Sequence, residues 1–191
     1  MGMVSASCAA LPVGSVTTSS PSFEAIYEAH FDFVWRALRR LGVQDAATDD
    51  AVQDVFLVVH RKLADFEGRS TLKTWLFGIV LRVARDHRRY RQRKGQLEPL
   101  TTEIVDPGST PIDLASKHEA WRILDRLLDT LDDDKREVFV LAEIEQLSVP
   151  EIAELLGQNL NTVYSRLRAA RAAFEQALSR HHAREARRVA T

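Results

Sequence analysis

The chain has a single cysteine, Cys8. That excludes an internal disulfide framework and any zinc site built from several thiolates, and it fits a reducing cytoplasm. No apolar run approaches the ~20 residues that a membrane-spanning helix needs. The first 22 residues carry no charged side chain. They lack the basic start and sustained apolar stretch of a secretory leader, so residues 1–21 are expected to form a disordered tail. The histidines (His30, His60, His87, His118, His181 and His182) show no metal-ligand spacing, and the adjacent pair near the end reads as solvated. There is no phosphate-cradling glycine loop, no nucleophile motif and no cluster of acid/base residues. The chain is therefore expected to have no catalytic residues, no metal, no cofactor and no small-molecule substrate.

Net charge is also nearly absent, at −1 over 191 residues. Its distribution is uneven. Segment 69–95 holds nine cations (Arg69, Lys73, Arg82, Arg85, Arg88, Arg89, Arg91, Arg93 and Lys94) against Asp86 alone, a net of +8 that leaves −9 for the rest. So one-sided a run makes few i,i+4 ion pairs and points to a polyanionic partner.

What is plentiful is helical periodicity. Phe23, Ile26, Tyr27, Phe31, Val34, Leu38 and Leu41 recur at steps of three and four, with Gly42 as a stop. Val52, Val55, Phe56, Val59 and Leu63 mark a second helix, whose acidic beginning (Asp45, Asp49, Asp50, Asp54) suits the helix dipole. After a short connection at 66–70, Leu72, Trp75, Leu76, Ile79 and Val83 face inward on a third, with Arg82, Arg85 and Arg89 outward. These three predict a small bundle over 22–94. Segment 95–116, with Pro99, Pro107, Gly108, Pro111 and several acidic residues, reads as a linker. Periodicity resumes over 117–178 with Ile123, Leu124, Leu127, Leu128 and Leu131, then Val138, Phe139, Leu141 and Ala142. Residues 179–191 read as a basic tail. The expected fold is all-α, with two small helical domains joined by a flexible linker.

One stretch of the second domain carries a sharper signal. Ser148-Val149-Pro150-Glu151 has a capping serine, a tolerated proline and a glutamate three residues on. Ile152, Ala153, Leu155 and Leu156 follow, Gly157 ends the helix, and a short turn leads to Asn161-Thr162-Val163-Tyr164-Ser165-Arg166-Leu167-Arg168. A short helix, a glycine-containing turn and a basic second helix make a helix-turn-helix. Outward residues among Asn161, Thr162, Tyr164, Ser165, Arg166, Arg168 and Arg171 are candidates to meet duplex DNA, arginine serving either guanine or phosphate. Asn159 and Asn161 are read as caps first. In the first domain, the 66–75 connection sets Gly, Ser and Thr beside aromatics and cations, a composition able to stack unpaired bases.

Asp50-Ala51-Val52-Gln53-Asp54-Val55-Phe56, followed by Phe66-Glu67-Gly68-Arg69-Ser70-Thr71-Leu72-Lys73-Thr74-Trp75-Leu76, resembles region 2 of the extracytoplasmic-function sigma factors of the sigma-70 family. Leu131 to Leu167, with Arg136-Glu137-Val138-Phe139 and the motifs around Ser148 and Asn161, resembles region 4. The resemblance implies a cytoplasmic sigma factor that acts in a stress or envelope response and is held by a membrane-linked anti-sigma partner. It implies that Asp50, Gln53, Asp54 and Phe56 dock on core RNA polymerase. It gives Arg69, Ser70, Thr71, Lys73, Arg82, Arg85, Arg88 and Arg89 to the −10 promoter element. It gives Asn161, Thr162, Tyr164, Ser165, Arg166, Arg168 and Arg171 to the −35 element. Two rivals stand beside it: a two-module DNA-binding regulator that works without polymerase, and an enzyme on a helical fold.

Overall fold

The computed structural model describes residues 22–94 and 111–189. The Ser22 hydroxyl accepts from the Ala25 N–H at 3.2 Å and starts α1, Phe23–Arg40. Ile26, Val34, Ala37 and Leu38 are its buried apolar side chains at helical spacing. The chain then turns at Gly42 with φ +87°, a left-handed conformation that an L residue resists. Helix α2, Asp45–Lys62, buries Ala51, Val52, Val55, Phe56 and Val59. A single 3₁₀ turn, Leu63–Asp65, leads through the 66–71 loop to α3, Leu72–Lys94. Leu76, Phe77, Ile79, Val80, Val83 and Ala84 of α3 are buried, and the three helices pack pairwise into a bundle.

The second set begins earlier than its sequence reading. Helix α4 spans Pro111–Leu128, so residues 111–116, expected in the linker, are helical. Proline breaks a helix interior but suits its first position, where the N–H has no partner to lose and φ is already set. The expected tail 1–21 and segment 95–110 lie outside the described residues. Asp132 caps α5, Asp133–Phe139, by accepting from the Lys135 N–H at 2.9 Å. The helix runs on into a π-helical turn, Val140–Ile144. Helix α6, Val149–Leu156, opens on a capping arrangement in which the Glu151 carboxylate accepts from the Ser148 N–H (2.8 Å) and hydroxyl (2.6 Å). Gly157 ends it at φ +64°. Asn159 Oδ1 then accepts from the Asn161 N–H at 2.8 Å and introduces α7, Leu160–Val189. The basic segment read as a tail is thus the far end of one 30-residue helix through Val189. It has little apolar periodicity, but its Ala and Arg residues are strong helix formers.

Val163, Leu167, Ala170 and Ala177 make the buried seam of α7, and the Phe139 and Phe174 rings stack at 4.5 Å. Buried residues of both helical sets join in one apolar cluster. Where α3 meets α6 the approach is close: a Cβ added to Gly78 would lie 3.2 Å from Leu155 Cδ1.

Candidate nucleic-acid interface

The 66–71 loop borders a hollow of about 250 Å³ lined by Asp65, Phe66, Glu67, Arg69, Ser70 and Trp75. Trp75 is half-buried and packs on Phe66 with ring centroids 5.1 Å apart, forming the apolar wall. Arg69 and Ser70 are exposed, and Arg69 pairs with Glu67 at 2.5 Å. Thr71 caps α3: its hydroxyl oxygen accepts from the Thr74 N–H at 3.1 Å. The hollow offers a flat aromatic contact beside carboxylate and guanidinium groups, which suits an unstacked base.

The cations of α3 divide into two groups. Arg82 and Arg89 are exposed, as are Arg91 and Arg93 beyond them. Lys73, Arg85 and Arg88 instead face the second helical set, which corrects the outward placement expected for Arg85. Glu137 of α5, with only 4% of its side chain exposed, takes Arg85 Nε at 2.9 Å, Arg85 Nη2 at 2.5 Å and Arg88 Nη2 at 2.5 Å. Arg88 also donates to the Leu41 carbonyl at 2.5 Å and lies 3.2 Å from Asp133. Its guanidinium is buried and has no room for a phosphate here. Glu145, with 5% of its side chain exposed, pairs with Lys73 at 2.8 Å and with Arg40 at 3.7 Å. Arg40 also lies over the Trp121 ring at 4.7 Å. The hydrogen bond from Arg85 to Glu137 raises the Arg85 pKa above its ordinary value, whereas burial lowers that of Arg40 against the pull of Glu145. Two buried carboxylates from one short segment thus each hold two cations of the first bundle.

Sequence reading missed Glu137 and Glu145. A carboxylate set into the apolar stripe of Val138, Phe139 and Leu141 was the available signal.

On α7, residues 160, 161, 164, 165 and 168 share one outward face. Leu160, Asn161, Tyr164, Ser165 and Arg168 are all exposed. Thr162 is half-buried behind that face. Arg166 bonds Gln158 (2.8 Å) and Asp134 (2.9 Å), and Arg171 bonds Glu143 (2.8 Å). Both are occupied within their own domain.

On α2, Asp50, Gln53 and Asp54 are exposed, Asp54 lying 2.9 Å from His87 Nε2. Phe56 is not a surface residue. It is 4% exposed, with its ring 4.6 Å from Tyr27 and 6.3 Å from Phe23. Its register with Val52, Val55 and Val59 turns it inward; Leu57 is the exposed apolar neighbour. Gln53, Leu57 and Asp49 rim an aromatic-floored hollow between α1 and α2. Among the described residues no group of three or more His, Cys, Asp or Glu is placed to hold a metal, and no helix is long and apolar enough to cross a membrane.

Comparison with known proteins places this geometry. Residues 26–94 match Sigma-70 region 2, and residues 121–174 match Sigma-70, region 4. RNA polymerase sigma factor NccH of Alcaligenes xylosoxydans xylosoxydans is 31% identical over 159 residues, 79% of this chain and 83% of that one. ECF RNA polymerase sigma factor SigX of Bacillus subtilis is 31% identical over 140 residues, 71% of this chain and 72% of that one. The chain belongs to the extracytoplasmic-function group of the sigma-70 family. A solved structure of CnrH in complex with the cytosolic domain of CnrY aligns at TM-score 0.59 with 29% identity, over 82% of this chain and 87% of that one. The sigma factor RpoE of Bartonella quintana, solved with the anti-sigma factor NepR, shares the fold at TM-score 0.61 and 24% identity, over 80% of this chain and 96% of that one.

This sigma factor is therefore a non-enzymatic initiation factor for promoter-specific transcription. Helices α1 to α3 are its region 2, and α4 to α7 contain its region 4. The ion pairs around Glu137 and Glu145 run between the two regions.

Proposed function

We propose that this sigma factor acts in the cytoplasm, binds core RNA polymerase through the exposed face of α2, and directs it to promoters in a stress or envelope response. Asp50, Gln53 and Asp54 are the docking residues in this reading, with Phe56 holding their helix in place from below. Arg69 and Ser70 line the base-capturing hollow, and Thr71 shapes it by capping α3. Arg82 and Arg89 meet the DNA backbone from the start, whereas Lys73, Arg85 and Arg88 join only when region 4 moves away. Asn161, Tyr164, Ser165 and Arg168 read the upstream duplex element, Thr162, Arg166 and Arg171 supporting their helix. An anti-sigma partner is proposed as well, since the related CnrH was solved with the cytosolic domain of another protein.

The observation that carries this reading is the outward face of α7, presented by a capped α6 and a three-residue turn, on the same chain as the aromatic hollow. The test is transcription from a supercoiled promoter library with core polymerase and purified chain. Specific initiation supports the reading; DNA binding by the chain alone with no specific initiation overturns it in favour of a polymerase-independent regulator. Permanganate footprinting divides the roles. Arg168→Ala is expected to weaken closed-complex binding, whereas Ser70→Ala with Arg69→Ala is expected to spare it and reduce strand opening.

A further inference from the structure

The leading end of α7's outward face is apolar. Leu160 is 45% exposed and Tyr164 58% exposed. They stand four residues apart, so their side chains are neighbours on one face. Neither belongs to the core, to which the helix gives Val163, Leu167 and Ala170 on its other side. Asn161, Ser165 and Arg168 surround them and are exposed. The nearby cations that a sequence reading would enlist are engaged elsewhere. Arg166 bridges Gln158 and Asp134, and Arg171 is bound through two nitrogens to Glu143 at 2.8 and 2.7 Å.

On the major-groove edges of the four base pairs the one apolar group is the thymine C5-methyl. An aliphatic and an aromatic side chain side by side gain from covering it by removing apolar surface from water. Arg168, one turn further along, can reach a guanine or a phosphate, and Asn161 and Ser165 supply neutral donors and acceptors.

We propose that Leu160 and Tyr164 form an apolar edge that recognises the 5-methyl group of thymine in the duplex promoter element, while Arg166 and Arg171 are positioning residues that fix the helix and do not read bases. This rests on the reading of α7 as the duplex-reading helix. It adds Leu160 to the specificity residues and keeps Arg166 and Arg171 in their supporting role.

The test uses the full chain bound to core polymerase and a promoter duplex library randomised across the upstream element. The best-bound duplex is resynthesised with uracil in place of thymine, one position at a time, which deletes only the methyl. One or two of these changes are expected to weaken wild-type binding about fourfold each, the factor for one buried CH₂-sized group. Leu160→Ala and Tyr164→Ala are expected to bind the thymine and uracil duplexes equally at those positions. Tyr164→Phe keeps the ring and is expected to keep the discrimination. Arg166→Ala and Arg171→Ala are expected to lower affinity for all sequences without changing the preferred one. The proposal is overturned if no uracil change weakens wild-type binding, if the selected duplexes lack thymine, or if discrimination persists in both alanine variants. A library that yields no enriched sequence, or an Arg168→Ala chain that selects and binds as wild type does, removes the duplex-reading role of α7 itself. The uracil scan on the wild-type chain needs no substitution, so a misfolded variant does not leave the question open.

Discussion

Replacing Glu137 by glutamine tests how the two regions are held. The substitution keeps the shape of the side chain and removes its charge. Glu137 faces three guanidinium nitrogens within 2.9 Å, from Arg85 and Arg88. The new amide would turn an N–H donor toward donors. Removing one partner of a buried ion pair costs about 3–5 kcal/mol. Arg85 keeps 31% of its side chain in water, so the lower end applies, about 3 kcal/mol. At about 1.4 kcal/mol per factor of ten, that is roughly a hundredfold shift toward separated regions. The separated chain presents Arg85 and Arg88 to solvent. Two further phosphate contacts steepen the salt dependence of duplex binding, by about 1.8 in the slope of log K against log salt. Small-angle scattering would report the expansion, and fluorescence anisotropy across a salt series would report the slope, both on the isolated chain. A Glu137→Gln chain with the wild-type radius of gyration and the wild-type slope would refute this account of the interface.

Smaller perturbations follow from the same structure. Gly42→Ala is expected to destabilise the chain by at least about 1–2 kcal/mol in thermal unfolding, since φ is +87° and the new Cβ would collide with the Arg136 guanidinium. Asp132→Ala removes the N-cap of α5 and is expected to cost about 1 kcal/mol by chemical denaturation. Hydrogen bonds from Lys135 and Ser148 hold the Asp132 and Glu151 carboxyls below their ordinary range. A lowered folded-state pKa stabilises above the unfolded value and is lost as pH falls through the folded one, so helix content in region 4 should fall on acidification, less steeply in the Asp132→Ala chain. Phe56→Ala is expected to cost about 3–5 kcal/mol by emptying the aromatic cluster, whereas Gln53→Ala and Leu57→Ala should leave the melting temperature near wild type and weaken polymerase binding, measured by co-sedimentation.

Much of the architecture was legible because its causes are local. The 3.6-residue stripe of α1, the Ser148–Glu151 cap and the left-handed Gly157 each act within one or two turns, and each stands where periodicity and capping place it. Phe56 is instructive. Its spacing with Val52, Val55 and Val59 pointed to the core, while resemblance alone had put it among the docking residues. Pro111 reads as linker in the sequence because a proline's effect depends on where the helix begins, which local composition does not reveal. The division among the α3 cations was invisible for a different reason. Arg85 and Glu137 lie 52 residues apart in sequence, and no periodicity links them. A run of arginines reads the same whether its counter-ions are phosphates or carboxylates of the same chain.

That carboxylates of the same chain take this place has a consequence for dosage. Closure between regions 2 and 4 is unimolecular, so its equilibrium does not depend on how much protein a cell makes. Doubling synthesis doubles closed and separated molecules alike. A free inhibitor, by contrast, is exhausted by excess of its target. A ligand that binds one form better than the other changes the ratio, and it does so by no more than its difference in affinity. On the proposed reading, in which region 4 moves away, competition for polymerase depends on what separates the regions as well as on how many copies are present.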